Sequence, residues 1–545
     1  MTEDQIRQLE RANALEQIHR DEVKGWVNMF TVTEWFKKRF RVIRDTVNVN
    51  EYYDKTSLLG IKFISKQDLC NLVNQGDFHA SFDMAGWYDQ FEYSNQVSKY
   101  LCCRRGNKYY RTTRLCMGQR HSCDIGQATT LFLLDFPGRR CKAVHAYIDN
   151  VIFVGSFDDV KHDSMEFIKR CKEAGVTLNE TEFVNQHGID ACIQQQGEWC
   201  GVKLDFKNKS CSPIEKSIKK TQISWNNRHK WTHRQFSAHI GLLFWSWGII
   251  DIPVYEFYSL LKFVSEISRR LQQDESLWDE PIVIFPSAIP ALQQWTQLCL
   301  NNSPHHILPP SRNKTWFVCT DASKWGWGYR AFNYKTGEIR SHGAPWSITP
   351  STSKFSELLK NNTRHSVYAE PVAIYFSLAH LLSSNSGATY KTISPKDDKN
   401  FDGNCINIPL GNENSVVQDE WERQAITVAT DNTSAKCTFN RGFASKSYII
   451  NESIKNLKAA FPPSTFDFTF CFVPGHLNPA DKPSRGVQDY PRQQFNNRNS
   501  NSNSVNFNNN NAESGNTDFH NLQRLAGEFA ISHEINAAHQ VISAV

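Results

Sequence analysis

Two segments of the chain have the residue pattern of β-strands, and each carries a carboxylate. HASFD ends at Asp83, and the runs VHAYI and VIFVG flank Asp149 and Asn150. Val, Ile, Phe and Tyr favour strands, whereas Asp and Asn favour the tight turn of a hairpin. The pattern predicts a strand that ends at Asp83 and a hairpin whose two turn residues are Asp149 and Asn150.

The same patterns divide the chain into regions. Residues 1–29 are predicted as a charged N-terminal helical segment, residues 30–206 as an α+β region, and residues 207–310 as mostly helical. Residues 311–486 return to an α/β pattern with a polar insertion at about 383–420. The Asn/Ser-rich tract 487–520 has too few apolar residues to form a core and is predicted to be disordered, and residues 521–545 are predicted as a short helix.

Composition narrows the setting in which the chain works. Its 545 residues, of which 40% are hydrophobic, are enough for several domains. The 15 cysteines form no CxxC pairs and the N-terminus does not resemble a secretory signal, so we expect reduced thiols in the cytoplasm or nucleus rather than secretion. The longest apolar run, Ile240 to Ile250, is too short to span a membrane, so we expect no membrane partner.

Charge adds a mild preference for polyanions. The net charge is +5, and the segment WFKKRFRVIR contains a run of basic residues without an acid: Lys37, Lys38, Arg39, Arg41 and Arg44. A solvated basic surface and a phosphate site both explain such a run.

A pair of strand-borne carboxylates indicates a metal site if the two side chains converge. At about 4 Å and an effective dielectric constant near 20, Asp83 and Asp149 would repel by about 4 kcal/mol. Paired Mg²⁺ ions remove this repulsion and promote in-line displacement at phosphorus. The alternative is that Asp149 is only a turn residue.

A second set of acids follows in the α/β region. Asp321 and Asp431 end apolar strands, Glu370 begins an amphipathic helix, and the segment PGHLNPADKPSR contains His476 and Asp481. Each acid alone is also typical of a strand-end turn or a helix N-terminus.

The order of the motifs from the basic run to WCGVKLDF resembles a reverse transcriptase. The resemblance implies that Asp83 and Asp149 are catalytic metal ligands, that Tyr88 is the aromatic gate beneath the incoming sugar, and that the YIDN hairpin corresponds to the Tyr-x-Asp-Asp hairpin. The implied substrate-binding residues are Lys38, Arg39, Arg41, Arg44, Tyr88, Met117, Gly118, Ser122, Gln127, Tyr147, Asn150 and, in the primer-grip hairpin, Gly201. Asn150 departs from the family's second aspartate, and Cys123 stands where many relatives have proline.

The second set of acids resembles a ribonuclease H. This resemblance implies that Asp321, Glu370, Asp431 and Asp481 hold two Mg²⁺ ions, or Mn²⁺ in their place, and that His476 assists proton transfer or product release. The implied fold class is an α+β reverse transcriptase with fingers, palm and thumb, followed by an α/β ribonuclease H-like domain. The thumb and connection would correspond to residues 207–310.

The motifs MGQRHS and HLNPADKPSR are similar to those of the DIRS group of tyrosine-recombinase retrotransposons, including the VIPER type. The implied function is RNA-directed DNA polymerisation with hydrolysis of RNA in hybrids. The implied partners are an RNA template, a DNA primer, the RNA–DNA hybrid and dNTPs, with recombinase and capsid-type proteins of the same element acting in trans. The alternative is a domesticated or decayed element product that binds nucleic acid without catalysis, for which Asn150 is the main argument; a host DNA-binding protein is a third reading.

Overall fold

The computed structural model describes residues 2–34, 39–52, 61, 63–346, 365–383, 423–445 and 447–486. Several predicted features lie outside these residues: Lys38, the polar insertion apart from its first residue, the Asn/Ser-rich tract and the C-terminal helix. The side chain of Arg39 also lies outside the description. The described chain combines helices and sheets throughout.

The first region alternates short strands and helices. Its strands are β1 Leu15–Ile18, β2 Asn28–Glu34, β3 Arg39–Asp45, β4 Phe78–Asp83, β5 Cys102–Arg105, β6 Lys108–Thr112, β7 Ala143–Tyr147, β8 Asn150–Gly155, β9 Gln196–Trp199 and β10 Val202–Asp205. Its helices are α1 Glu3–Arg11, α2 Val47–Asn50, α3 Lys66–Asn71, α4 Asn95–Ser98, α5 Ser122–Leu134, α6 Phe157–Glu173 and α7 Thr181–His187. The antiparallel sheets have the orders β1-β6-β5, β2-β3 and β4-β8-β7.

The predicted N-terminal helical segment is wrong beyond its first turns. Helix α1 ends at Arg11, and Asn13 adopts a φ of 51°, a left-handed conformation that asparagine tolerates at helix ends. The chain then forms β1, which pairs with β6, and Leu15 becomes buried. Long-range pairing with β6 therefore overrides the local helical pattern.

The helical region follows the predicted pattern, but it begins later than predicted. Its helices are α8 Glu215–Asn226, α9 His233–Trp247, α10 Tyr258–Gln273 and α11 Ile289–Asn301. Two strands flank them, β11 Ser210–Pro213 and β12 His305–His306, and they complete a sheet of order β12-β11-β10-β9. The predicted boundary at residue 206 thus divides one sheet, because β10 and β11 are the two arms of a hairpin.

The last region contains a five-stranded sheet with helices. Its elements are β13 Asn313–Ala322, β14 Gly326–Asn333, β15 Ile339–Pro345, α12 His365–Ser383, β16 Gln424–Thr430, α13 Thr433–Arg441, α14 Tyr448–Ala460, β17 Phe466–Phe472 and α15 Asp481–Ser484. The strand order is β15-β14-β13-β16-β17, with the first three strands antiparallel and β13, β16 and β17 parallel. Parallel β13 and β16 end at the same edge of the sheet, which positions the acids that follow them.

The helical region and the last region pack against each other. Phe443, which follows α13, is buried in the same apolar core as Trp247 and Trp295 of the helical region. Its ring centroid lies 5.1 Å from that of Trp247. Across the described residues we find no helix with both the length and the apolar character that a membrane span requires.

Candidate functional site

Asp83 and Asp149 lie at one edge of the β4-β8-β7 sheet. Asp83 is the last residue of β4 and pairs with Asn150, the first residue of β8. The backbone N–H of Met84 donates to the carbonyl oxygen of Asp149 at 2.9 Å. The structure therefore brings together the two acids that the sequence singles out.

The hairpin turn differs from the prediction by one residue. Its turn residues are Ile148 and Asp149, because Asn150 already belongs to β8 and pairs with Tyr147 on one side and Asp83 on the other. Ile148 has a φ of 59°, which for a β-branched residue costs on the order of 1–3 kcal/mol. Asn150 also donates its amide to Oδ1 of Asp149 at 3.1 Å, so it orients the carboxylate.

Side chains of helix α5 bind the backbone of this turn. Gln127 donates from Nε2 to the carbonyl of Ala146 at 3.1 Å and accepts the N–H of Ile148 at 2.5 Å, and Thr130 donates to the carbonyl of Ile148 at 2.6 Å. Gln127 is 2% exposed. These contacts position the hairpin, and the role of Gln127 in substrate binding stays a prediction.

The first residue of α5 and the segment before it include three further predicted substrate-binding residues. Ser122 is fully buried and donates to the carbonyl of Cys116 at 2.7 Å, and its role in substrate binding stays a prediction. Met117 is exposed, and Nη1 of Arg41 lies 3.3 Å from its sulfur. Gly118 has a φ of 96°, and its carbonyl accepts the side-chain amide of Asn50 at 2.9 Å.

Arg44 does not face solvent as a triphosphate ligand would. It is 8% exposed, and its guanidinium donates to Asp89 at 3.0 Å. Since Asp89 follows Tyr88 directly, this ion pair braces the segment that carries Tyr88. The ion pair gives Arg44 a structural contact, and its role in binding triphosphate stays a prediction.

Tyr88 lies in a short 3₁₀ helix, Trp87–Gln90, and not in a strand. Its side chain is half-buried, and its hydroxyl lies 3.4 Å from the sulfur of Cys123. Burial is the main cause that raises the pKa of Tyr88, followed by Cys123, Asp149 and Tyr147. The charge of Asp149 thus makes a small contribution to the raised pKa of Tyr88.

The β9–β10 hairpin approaches the same site. Burial raises the pKa of Cys200 to about 12, and the charge of Asp149 adds to this effect. The next residue, Gly201, has a φ of 81°, and a Cβ there would lie 3.1 Å from the ring of Trp245 in α9. The turn that carries Gly201 is thus fixed between the carboxylate site and the helical region.

Asn179 and Glu180 contact Asp83 but were not among the residues predicted from sequence. The amide of Asn179 donates to Oδ2 of Asp83 at 2.7 Å, and its backbone N–H donates to the carbonyl of Asp83 at 2.8 Å. Glu180 accepts the backbone N–H of Asp83 at 3.0 Å, and burial raises the pKa of Glu180. The segment before α7 therefore orients the first carboxylate from outside the sheet.

A second carboxylate site lies at the edge of the five-stranded sheet. Oxygens of Asp321, Glu370 and Asp431 all lie within 4.8 Å of one another. Asp321 comes from β13, Glu370 from α12, and Asp431 directly follows β16. Asp481, at the start of α15, lines the same cleft of about 380 Å³.

The electrostatics of this cluster favour a bound cation. Burial, followed by the charges of Asp321 and Asp431, raises the pKa of Glu370 well above its usual range. Burial also raises the pKa values of Asp321 and Asp431. Like charges held this close in a buried site are stabilised by a divalent cation, and carboxylate oxygens are the ligands that Mg²⁺ prefers. The donor set therefore fits Mg²⁺.

Neighbouring side chains orient the cluster. Glu370 accepts the N–H of Ala322 at 3.0 Å, and Ser484, which sequence reasoning missed, donates its hydroxyl to Asp321. Arg485 pairs with Asp481 at 2.7 Å.

His476 is close in sequence to Asp481 of the second carboxylate site. It is exposed in the short 3₁₀ helix Gly475–Leu477. A Cβ at Gly475 would lie 3.1 Å from Oδ2 of Asp431. His476 therefore directly follows a residue whose backbone approaches Asp431.

Comparisons with known proteins give weak structural similarities. No family model matches the chain, and no curated protein matches it. Solved structures similar to the chain include a foamy viral protease-reverse transcriptase with an RNA/DNA hybrid, at 14% identity and a TM-score of 0.44, covering 92% of this chain and 55% of the other. The same type of protein with dsDNA has 14% identity, a TM-score of 0.42 and coverages of 87% and 82%. At such identities and TM-scores, the likeness decides neither fold nor activity.

Proposed function

We propose that the chain is an RNA-directed DNA polymerase with ribonuclease H activity. The observation that carries the proposal is the presence of two separate carboxylate sites, each at the edge of its own sheet, in the order that the motif resemblance implies. The first region would supply fingers and palm, the helical region the thumb, and the last region the ribonuclease H-like domain. The parallel pairing of β13 with β16, which brings Asp321 and Asp431 to one edge of the sheet, supports the last assignment.

Asp83 and Asp149 would hold Mg²⁺ in the polymerase site. The metal would supply charge stabilisation for attack of a primer 3′-hydroxyl on the α-phosphate of a dNTP. Asn179 and Asn150 orient the two carboxylates. Tyr88 would occupy the space of a ribose 2′-hydroxyl, Arg41 and Met117 would contact the nucleotide, and the turn at Gly201 would contact the primer.

The second site would hydrolyse the RNA strand of a hybrid. Asp321, Glu370, Asp431 and Asp481 would hold Mg²⁺, which would supply charge stabilisation at the scissile phosphate. His476 would assist proton transfer or product release. Hybrid would be recognised by its backbone and 2′-hydroxyls rather than its sequence.

The biological setting remains part of the proposal. We propose a retrotransposon of the DIRS group, acting in the cytoplasm or nucleus, with recombinase and capsid-type proteins supplied in trans. The sequence motifs MGQRHS and HLNPADKPSR support this subgroup.

The direct test is primer extension on poly(rA) with an oligo(dT) primer, dTTP and Mg²⁺, alongside cleavage of a labelled RNA–DNA hybrid. We expect both activities, and both should disappear with EDTA. Hybrid binding without either activity in a folded preparation would favour the alternative, a decayed or domesticated nucleic-acid-binding protein, for which the uncharged Asn150 is the supporting observation.

Removing the amide of Asn179 should weaken the polymerase site. A hydrogen bond to a charged group contributes about 1.5–3 kcal/mol, so Asn179→Ala should lower single-turnover extension by about 10- to 100-fold. The measurement is a Mg²⁺ titration of extension, in which the midpoint should move to higher concentration.

Ser484→Ala is the matched control for Asn179→Ala, because Ser484 binds a carboxylate of the other site. It should lower hybrid cleavage and leave the Mg²⁺ midpoint of extension unchanged. An unchanged midpoint in folded Asn179→Ala would contradict the positioning role.

A further inference from the structure

The β1-β6-β5 sheet has one face covered by α1 and another face that displays aromatic side chains. Successive residues of a strand point to opposite faces, so Tyr109 and Tyr110 of β6 lie on different sides. Tyr110 is buried with Ile6 of α1 and Leu15 of β1. Tyr109 is only half-buried and lies on the other side of the sheet.

This second face combines two rings with a guanidinium. Trp26 bridges to Cys102 along the edge of β5 and is 50% exposed. Its ring centroid lies 6.0 Å from that of Tyr109, and the guanidinium of Arg104 lies 5.9 Å from the Tyr109 ring. Arg104 and Tyr109 are cross-strand partners, so they share a face of the sheet. We call the surface formed by Trp26, Arg104 and Tyr109 the Trp26 face.

The chain segment that forms β5 and β6, next to the Trp26 face, is basic. Between Ser94 and Cys123 the sequence contains no Asp or Glu, and its basic residues are Lys99, Arg104, Arg105, Lys108, Arg111, Arg114 and Arg120. Within the described residues, Lys99, Arg111 and Arg114 form ion pairs with Glu22, Glu16 and Glu92, respectively. The exposed β5–β6 turn still carries Arg104, Arg105 and Lys108, which favours a polyanionic partner.

We propose that the Trp26 face binds single-stranded nucleic acid. Unpaired bases would stack on the rings of Trp26 and Tyr109, while Arg104 and Lys108 would contact phosphates, a combination that binds single strands with little sequence preference. Trp, Tyr and Arg are also common in protein interfaces, but the exposed basic β5–β6 turn favours nucleic acid. The inference rests on the proposed function for the identity of the strand, which would be the unpaired template.

The test is fluorescence anisotropy of labelled single strands of about 12 nucleotides, rU and dT, with the full chain. Trp26→Ala should raise Kd by on the order of 10-fold or more, and Trp26→Phe should retain most of the affinity because it keeps a stacking ring. The slope of log K against log salt concentration is negative, and Arg104→Ala should reduce its magnitude by about one. If Trp26→Ala raises Kd more for rU than for dT, RNA is the strand that the Trp26 face prefers.

Phe132→Ala is the matched control. Phe132 is 69% exposed on α5 and lies 5.8 Å from the guanidinium of Arg170, but it is on a helix surface. Its replacement should leave Kd unchanged. Tyr109→Leu is a second variant for the Trp26 face in case Trp26→Ala fails to fold, and melting curves identify such a failure.

The outcomes separate this inference from the proposed function. Unchanged Kd in folded Trp26→Ala and Tyr109→Leu overturns the inference, and a simultaneous change in sedimentation would assign the face to a protein contact. Extension on primed poly(rA) is measured in parallel. Binding that depends on Trp26 in a chain without extension would leave this inference standing and count against the polymerase.

Discussion

Replacing Asp149 with asparagine is expected to abolish primer extension while hybrid cleavage continues. Asp149 would be one of two carboxylates that hold the polymerase metal, and metal stabilisation of the reacting phosphate is worth several kcal/mol. The expected loss is therefore on the order of 10³-fold or more. Asparagine retains an oxygen that can accept the amide of Asn150, so the hairpin should persist. The measurement is single-nucleotide extension under single-turnover conditions, with hybrid cleavage assayed on the same preparation.

Asp431→Asn is the reciprocal variant and should stop cleavage of the RNA strand without affecting extension. Removing one charge relieves repulsion among buried acids whose pKa values are raised, so melting without Mg²⁺ should not fall. If each variant loses a different activity and keeps the other, the chain must contain two independent sites. If either variant loses both activities while its melting curve is unchanged, the assignment of one chemistry to each site is wrong.

The positions of the proposed catalytic acids could be predicted because their signals are local. Asp83 and Asp321 each end an apolar strand, and a strand-end carboxylate is visible in the sequence itself. The strand and helix regions could also be predicted, because hydrophobic residues recur along the chain with the spacing typical of each element. The turn at Ile148 and Asp149 was predicted one residue too late because its register depends on pairing between β8 and β4, which are far apart in sequence.

The side chains that orient the acids could not be predicted, because their contacts are long-range. Asn179 lies 96 residues from Asp83, and Ser484 lies 163 residues from Asp321. No periodicity links such pairs. The same limit explains Arg44, which belongs to a basic run in sequence but is buried against Asp89 in the structure. A charged run therefore identifies a candidate phosphate site without showing which of its members reach it.

Tyr88→Val is expected to let the polymerase incorporate ribonucleotides much more readily. If the phenol occupies the space of a 2′-hydroxyl, discrimination reflects a steric clash of a few kcal/mol in the transition state, and its removal should relax the dNTP to rNTP ratio by roughly 100-fold or more. The structure supports a folded variant, because Tyr88 is only half-buried in a short 3₁₀ helix and, among the described residues, its hydroxyl contacts the weak hydrogen-bonding partner Cys123. A fully buried core aromatic would instead cost about 3–5 kcal/mol on truncation.

Tyr88→Phe separates the ring from the hydroxyl. It keeps the volume that would exclude the 2′-hydroxyl and loses only the contact with Cys123, so its sugar selectivity should match that of the parent. Single-nucleotide extension with dNTP and rNTP in parallel, together with thermal melting, distinguishes the readings. Unchanged selectivity in a well-folded Tyr88→Val chain would remove the gate role. A large fall in melting temperature would mean that the ring supports the core, because a side chain that only lines a nucleotide pocket can be shortened without opening a cavity inside the protein.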